Sequence, residues 1–120
     1  MASILHIGLP LTLPWLTPAE GAEIAGRLIG LKQRMEAAEY RYTVMHASPL
    51  EGLQEFRSRL RREPPDAVVI GGGVVGNPEL CTFKQQIIDA VSEEAPPAKV
   101  LEFDHSVDLE TLVGRALRPL

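Results

Sequence analysis

Two patterns of apolar residues alternate along this chain: short runs rich in apolar and β-branched residues, and longer stretches in which apolar residues recur every three or four positions. The short runs cover residues 3–7, 40–45, 67–70 and 99–103, and such runs are typical of β-strands. A spaced pattern follows each run and is typical of an amphipathic helix. The repeating positions are Ile24, Leu28, Leu31 and Met35, then Leu50, Leu53, Phe56 and Leu60, then Leu80, Phe83, Ile87 and Val91, and finally Leu109, Leu112, Val113 and Leu117.

Three of the predicted helices begin at the same signal, a capping side chain directly before proline. The pairs are Thr17-Pro18, Ser48-Pro49 and Asn77-Pro78. The cap oxygen accepts a hydrogen bond from a free N–H of the first turn, and proline at the first helical position has no N–H to leave unpaired. In the first two pairs, glutamate three residues after the cap completes a capping box. The fourth helix is predicted to begin near Ser106.

The alternation of strand and helix predicts right-handed crossovers and a parallel sheet. Residues 3–7 and 67–70 are apolar on both faces, so they are expected at the centre of the sheet. The second strand alternates through Arg41 and Thr43, and the fourth carries Glu102, as edge strands do. The predicted fold class is therefore α/β, a single-domain three-layer α/β/α sandwich with strand order 2-1-3-4. This arrangement is flavodoxin-like or Rossmann-like.

The predicted strand order indicates where a ligand would bind. The chain's direction across the sheet reverses between strands 1 and 3, and open α/β sheets bind ligands beyond the carboxyl ends of the strands at such a point. The loops that wall this crevice cover residues 8–16 and 71–77. Glycines there bring the backbone close to a ligand, Asn77 offers a helix cap and an amide, and Trp15 offers an apolar lid. The predicted ligand-binding residues are Gly71, Gly72, Gly73, Gly76, Asn77, Thr12, Trp15, His46, Asp104 and His105.

The glycine loop matches a dinucleotide fingerprint as a string, Gly71-x-Gly73-x-x-Gly76. In that fingerprint the helix begins within the glycines, whereas Asn77-Pro78 predicts a start after the last one. Asp104 also comes later than the acidic residue of the fingerprint, and Glu79 would repel a bound phosphate. These residues favour a small anion or polar ligand over a dinucleotide, and they identify no cofactor. A tight turn that binds nothing is the remaining interpretation.

Residues 9–16 form an unusually apolar loop that contains Pro10, Pro14 and Trp15. Such a loop is poorly suited to lying open in water. It is interpreted either as a lid over the crevice or as an interface that makes the protein a homo-oligomer or an assembly subunit. Packing of the loop beneath the first helix is the third alternative.

Histidines and the single cysteine are the remaining candidates for chemistry. His6 lies in a central strand and is expected to be a core histidine with a hydrogen-bond partner. His46 and His105 follow strands 2 and 4, where either imidazole could act as the base of a small hydrolase or transferase. Cys81 is expected to be half-buried and inert on the helix after the glycine loop. Histidine and acidic residues show no close spacing that would indicate zinc.

Composition narrows the class of protein further. The 120 residues, of which 45% are apolar, fit one domain, and one cysteine excludes an internal disulfide and favours the cytoplasm. Residues 4–16 lack a basic leader region and are too short to span a bilayer, so no membrane association is expected. A net charge of −4 and six aromatic residues argue against nucleic acid as a partner. Arg57, Arg59, Arg61 and Arg62 are interpreted as a solvated helix end.

The strand ends also exclude one chemistry of small α/β proteins. Receiver domains of two-component signalling need a phosphoryl-accepting aspartate at the end of strand 3 and a lysine at the end of the last strand. Here strand 3 ends Ile70-Gly71 and strand 4 ends Phe103-Asp104. The sequence therefore assigns the chain to no family.

Overall fold

A four-stranded sheet forms the centre of the protein in the computed structural model. Its strands are β1 (Ser3–Gly8), β2 (Arg41–His46), β3 (Ala67–Ile70) and β4 (Lys99–Glu102). All paired strands are parallel and their order is β2-β1-β3-β4, which confirms the predicted order. The residues that the structure describes are 2–8, 17–47, 52–103 and 107–117.

Burial explains why this order is stable. All four residues of β3 are buried, and so are the four middle residues of β1. Both strands can therefore lie only where helices cover the two faces of the sheet. The ends of β2 and β4 are exposed, as suits edge strands.

Helices cover both faces and complete a three-layer α/β fold in a single compact domain. One core lies between the sheet and helices α2 and α4, and a second lies between the sheet and helices α1 and α5. Alternate residues of β3 enter different cores, Val68 and Ile70 the first, Ala67 and Val69 the second. The helices are α1 (Pro18–Ala37), α2 (Leu53–Arg62), α3 (Gly72–Val75), α4 (Cys81–Glu94) and α5 (Leu109–Leu117), and a 3₁₀ turn, Pro78–Leu80, precedes α4.

Two of the predicted helix signals are confirmed. Thr17 and Glu20 form a capping box, in which the Glu20 N–H donates to Thr17 Oγ1 and the Thr17 N–H donates to Glu20 Oε1, both at 3.1 Å. Asn77 Oδ1 accepts from the Glu79 N–H at 3.0 Å and so caps the 3₁₀ turn. Each cap satisfies an N–H that has no partner within the helix.

The other two helices begin later than predicted. α2 begins at Leu53, and its N-cap is Gly52, whose φ of 98° is left-handed and favours glycine. Ser48 and Pro49, the predicted start, lie outside the described residues. α5 begins at Leu109, where the Leu112 N–H donates to the Asp108 carbonyl, and Ser106 also lies outside the described residues.

The arginines of α2 do more than end a helix. Arg57 pairs with Glu93 at 2.7 Å and Arg61 with Glu94 at 2.5 Å, so both reach across to α4. Sequence reasoning interpreted them only as a solvated helix end. The pairs are partly exposed, so each contributes at most about 1 kcal/mol to stability.

In the part of the chain that the structure describes, no helix has the length and apolar character that crossing a membrane requires.

Candidate functional site

The carboxyl ends of the two central strands carry glycine. Gly8 is the last residue of β1, and Gly71 follows β3 directly. Ile7 lies opposite Ile70 in the parallel ladder, so the two glycines lie side by side one position further along. We call this pair the glycine notch. It lies between β1 and β3, where the direction of the chain across the sheet reverses and ligands of open α/β sheets bind.

His6 lies directly below the notch, because it comes two residues before Gly8 and so lies on the same face of β1. It is buried, with 4% of its surface exposed. Its Nδ1 is 2.5 Å from the Tyr42 hydroxyl oxygen, and its ring meets those of Tyr42 and Phe103 edge-on. The prediction of a core histidine with a hydrogen-bond partner is therefore confirmed.

The two glycines of the notch differ in the space around them. A Cβ at Gly71 would lie 3.0 Å from His6 Nε2 and 3.3 Å from the Ile7 carbonyl oxygen. Both distances are shorter than ordinary van der Waals contacts, so a side chain at 71 would require His6 or the β1 backbone to shift by a few tenths of an ångström. A Cβ at Gly8 would meet no atom of the described residues within 4 Å. Among the described residues, the notch is therefore open at Gly8 and closed at Gly71.

The glycine turn itself differs from the prediction. A one-turn helix that the sequence did not predict, α3, begins at Gly72, within the glycines, and precedes the predicted start at Asn77-Pro78. The cause is that Gly71 directs its carbonyl into a helical turn, where it accepts from the N–H groups of Val74 and Val75. Val74 then anchors the turn in the core beside α4. Because α3 has only four residues, its dipole is too short to hold a phosphate.

The predicted site residues fall into three groups. Gly71 lies in the notch, and His46 ends β2 directly beside Gly8 in the ladder, with its side chain exposed. Gly72 and Gly73 begin α3, Gly76 is exposed after it, and Asn77 holds the 3₁₀ turn. Four predicted residues lie outside the described part of the chain, and their roles stay predictions. They are Thr12, Trp15, Asp104 and His105.

Sequence reasoning missed Tyr42, and it placed Gly8 only within the loop that walls the crevice. Tyr42 could have been found from the period of two in a strand, because it lies on the same face as His6 once β2 is placed beside β1. Burial raises the pKa of the Tyr42 hydroxyl well above its ordinary value, so the phenol stays protonated at neutral pH. The notch therefore lies above two neighbouring polar side chains in an otherwise apolar layer.

Other reactive side chains lie away from the notch. Cys81 begins α4 and is exposed, so the expectation that it would be half-buried is wrong. Among residues 2–8, 17–47, 52–103 and 107–117, no three histidine, cysteine or acidic side chains form a group that could hold a metal ion.

Comparison with protein-family models gives no match, and the searches of curated proteins and of solved structures give none either.

Proposed function

We propose that this protein binds a small polar or anionic ligand at the carboxyl edge of its sheet, in the glycine notch. The observation that carries the proposal is the pairing of Gly8 with Gly71 at the ends of the two central strands, directly above buried His6. Two adjacent strand ends without side chains leave room for a ligand to approach the backbone.

The chemistry of the notch supports a polar ligand. An imidazole and a phenol lie beneath it, and His46 lies beside it on β2. Ligand sites in α/β proteins combine an apolar wall with a few placed polar groups, and Phe103 supplies such a wall next to His6. The loops of residues 9–16 and 104–106 are proposed to complete the site.

A blocked notch tests the proposal. Gly8→Val adds a branched side chain where Cβ has open space, in a strand that tolerates valine. Ser3→Val is the matched control, because it adds the same side chain at the opposite end of β1. Thermal shift and amide NMR with a panel of anions, carboxylic acids and nucleotides should give a ligand that stabilises the wild type and Ser3→Val, but not Gly8→Val.

Two outcomes of this experiment contradict the proposal. The first is a panel in which no compound at millimolar concentration raises the melting temperature, since a ligand that binds the folded state must raise it. The second is a ligand that binds Gly8→Val as tightly as the wild type, because that ligand occupies a different place.

Self-association is a second candidate function, and the outward face of α1 favours it. Ile29 is 61% exposed, and Cβ atoms at Gly26 and Gly30 would meet nothing within 4 Å in the described chain. Each glycine costs about 1 kcal/mol of helix stability relative to alanine. No close packing within the described chain offsets that cost, and contact with a second copy would do so.

Charges beside this face suit a two-fold antiparallel pair. Glu23 and Arg34 lie on the same flank of α1, eleven positions apart, so each would lie opposite the other in a second, reversed copy. Light scattering is expected to show a dimer that Ile29→Lys dissociates. Gln86→Lys, a change at an exposed position of α4, should leave the dimer intact. A wild-type protein that stays monomeric at millimolar concentration contradicts this candidate.

A further inference from the structure

The two outer edges of the sheet differ in length and charge. β4 has four residues and carries an exposed Lys99 and an exposed Glu102 at its ends, and short, charged edge strands resist pairing with another strand. β2 has six residues, and residues 42–45 in its middle carry no charge. β2 is therefore the edge better suited to pairing with a further strand.

The backbone groups of β2 alternate between the sheet and the outside. The Ala47 N–H donates to the Gly8 carbonyl, so the odd-numbered residues of β2 turn towards β1. The even-numbered residues turn outward, and Val44 is the middle one of these. In the described chain β2 is the last strand on this side of the sheet, so the N–H and C=O of Val44 have no strand to pair with.

A second copy of β2 would satisfy these groups in one antiparallel register. With a two-fold axis at Val44, each Val44 exchanges two hydrogen bonds with Val44 of the second copy, and Tyr42 lies opposite His46. Arg41, the only arginine, lysine or acidic residue of β2, then lies opposite Ala47 of the second copy. No like charges face each other in this register, so the β2 edge is complementary to itself.

The exposed flank of α1 lies on the same side of the molecule as the β2 edge. Arg34 pairs with Glu110 of α5 at 3.7 Å, so one flank of α1 faces α5, which lies over β4. Ile29 is five positions from Arg34, or about 140° round a helix of 3.6 residues per turn. Ile29, 61% exposed, therefore lies on the flank away from α5, on the side of β2.

Pairing of the β2 edges would bring the two α1 helices into contact. α1 packs with Ile4 of β1 and Tyr42 of β2, so its axis lies about half a strand spacing inside β2. Across a two-fold axis just outside β2, two such helices are two strand spacings apart, or about 9.6 Å. Packed helices are about 8–10 Å apart, so pairing of the strands gives the distance at which the helices pack.

The strand contact and the helix contact also lie at the same height. The Tyr40 N–H donates to the Met35 carbonyl, so these two residues are level with each other. Val44 is four residues further along β2, about 13 Å away. The same distance along α1 is about nine residues, which reaches Gly26. A Cβ at Gly26 would meet nothing within 4 Å in the described chain, so Ile29 of the second copy has room to pack there.

We propose that two copies of this chain pair antiparallel through β2, forming one continuous sheet on which their α1 helices pack side by side. The inference rests on the second candidate function, self-association, and assigns its interface. An extended peptide of another protein would also satisfy the β2 edge, but it would leave Ile29 exposed on α1. A second copy covers the strand and the helix flank at one axis.

Amide exchange at the two edges tests the pairing. Val44 and Val100 are matched, because each turns its N–H outward on an edge strand. Where about nine-tenths of the chains are paired, the Val44 N–H should exchange about tenfold more slowly than in dilute protein, whereas Val100 should not change. A dimer in which Val44 and Val100 exchange equally fast at every concentration overturns the inference and leaves self-association standing.

The register can be measured in dimers of one labelled and one unlabelled chain. Isotope-filtered NOEs should join the Hα of Thr43 to the Hα of Met45 of the second copy, because the Cα atoms of such a non-hydrogen-bonded pair are about 4.5 Å apart. Filtered contacts between the two α1 helices with none at β2 overturn the inference and support a dimer that forms through the helix alone.

A matched pair of proline substitutions tests the same edge. Val44→Pro removes an outward N–H from an edge strand, where proline is tolerated, and Val100→Pro is the control on β4. Light scattering should show that Val44→Pro raises the dimer Kd at least about tenfold, as expected for two lost hydrogen bonds, and that Val100→Pro does not. A folded Val44→Pro that dimerises as tightly as the wild type overturns the inference. A wild type that stays monomeric at millimolar concentration overturns self-association as well.

Discussion

The neighbours of Gly8 and Gly71 predict opposite outcomes for the same substitution. Gly71→Ala places a Cβ 3.0 Å from His6 Nε2 and 3.3 Å from the Ile7 carbonyl oxygen, so buried His6 or the β1 backbone must shift by a few tenths of an ångström. We expect a loss of about 1–3 kcal/mol in the free energy of unfolding, as for other overpacked sites. Gly8→Ala should stay within about 0.5 kcal/mol of the wild type. Urea unfolding of both variants checks this, and equal losses would show that the two sites are equally crowded.

Tyr42→Phe should also change how stability depends on pH. Because burial raises the pKa of Tyr42 in the folded state, its contribution is fully present below pH 10 and is lost as pH rises above that value, where the unfolded phenol ionises first. The wild type should therefore lose stability more steeply than Tyr42→Phe above pH 10. At pH 7 the variant should be less stable by about 1–3 kcal/mol, because His6 Nδ1 loses its partner. Parallel unfolding curves across this pH range would contradict the assignment.

Sequence predicted the character of His6 at this scale but not its geometry. A histidine within an apolar central strand must be buried, and a buried imidazole needs a partner. The partner is Tyr42, on a strand that is distant in sequence. Tyr42 lies opposite Ile4 in the ladder, so its side chain reaches diagonally across to His6 on the neighbouring strand. The alternation of side chains along a strand predicts the face of the sheet on which each residue lies. Which ring nitrogen of His6 the Tyr42 hydroxyl reaches depends instead on side-chain rotamers, and these cannot be predicted from a pattern of residue types.

At the scale of elements, the capping box of α1 is the clearest test of a local signal. Thr17→Ala removes the side-chain acceptor of the Glu20 N–H, and we expect a loss of about 1 kcal/mol in the free energy of unfolding. Thr82→Ala, an exposed threonine inside α4, is the matched control and should change stability far less. Equal losses in the two variants would mean that the cap contributes nothing particular to this helix end.

Glu20 adds a pH signature to the same box. Hydrogen bonds from the backbone and then the side chain of Thr17 lower the pKa of Glu20 below its ordinary 4.5. Its contribution is therefore present above pH 4.5 and is lost as pH falls through the lower folded value. Thr17→Ala should reduce this acid sensitivity, and chemical-shift titration of the Glu20 carboxylate should show its pKa moving towards 4.5. An unchanged titration would exclude the side-chain part of the box.

Helix starts were predictable where the capping hydrogen bond joins residues that are close in sequence, and less predictable elsewhere. Thr17 and Asn77 act on N–H groups two or three residues away, so their sequence neighbours contain the whole signal. The start of α2 instead depends on a left-handed turn at Gly52, and the pairs from Arg57 and Arg61 depend on the position of α4. That position is set by packing on the sheet, which no local pattern records.

At the scale of the whole molecule, strand order followed from burial because each face of a parallel sheet must be covered. Ala67-Val68-Val69-Ile70 has no polar position to turn towards water, so it could not form an edge. With β1 and β3 at the centre, the direction of the chain across the sheet reverses between them. That reversal indicated the part of the carboxyl edge where a ligand is expected to bind. The residues that line that edge from the loops are less predictable, because a loop's path depends on contacts that strand and helix patterns do not encode.

Hydrogen exchange can test whether a ligand binds at that edge. The Gly71 N–H donates to the Ile7 carbonyl and the Ala47 N–H to the Gly8 carbonyl, both at the carboxyl edge. At the opposite edge the Asp66 N–H donates to the Ser3 carbonyl and the Lys99 N–H to the Asp66 carbonyl. These strand-end bonds are expected to exchange by local opening, which a ligand suppresses only where it contacts the chain.

A saturating small anion or polar ligand that binds in the notch should therefore slow exchange at the Gly71 and Ala47 amides and leave the Asp66 and Lys99 amides unchanged. Amides in the middle of β3 exchange through global unfolding, so they should all slow by one common factor, the ligand's overall stabilisation. If the ligand binds in the notch, Gly8→Val should abolish the slower exchange at the carboxyl edge. Slowing confined to the amino edge would instead place the ligand at the wrong end of the sheet, whatever its effect on the melting temperature.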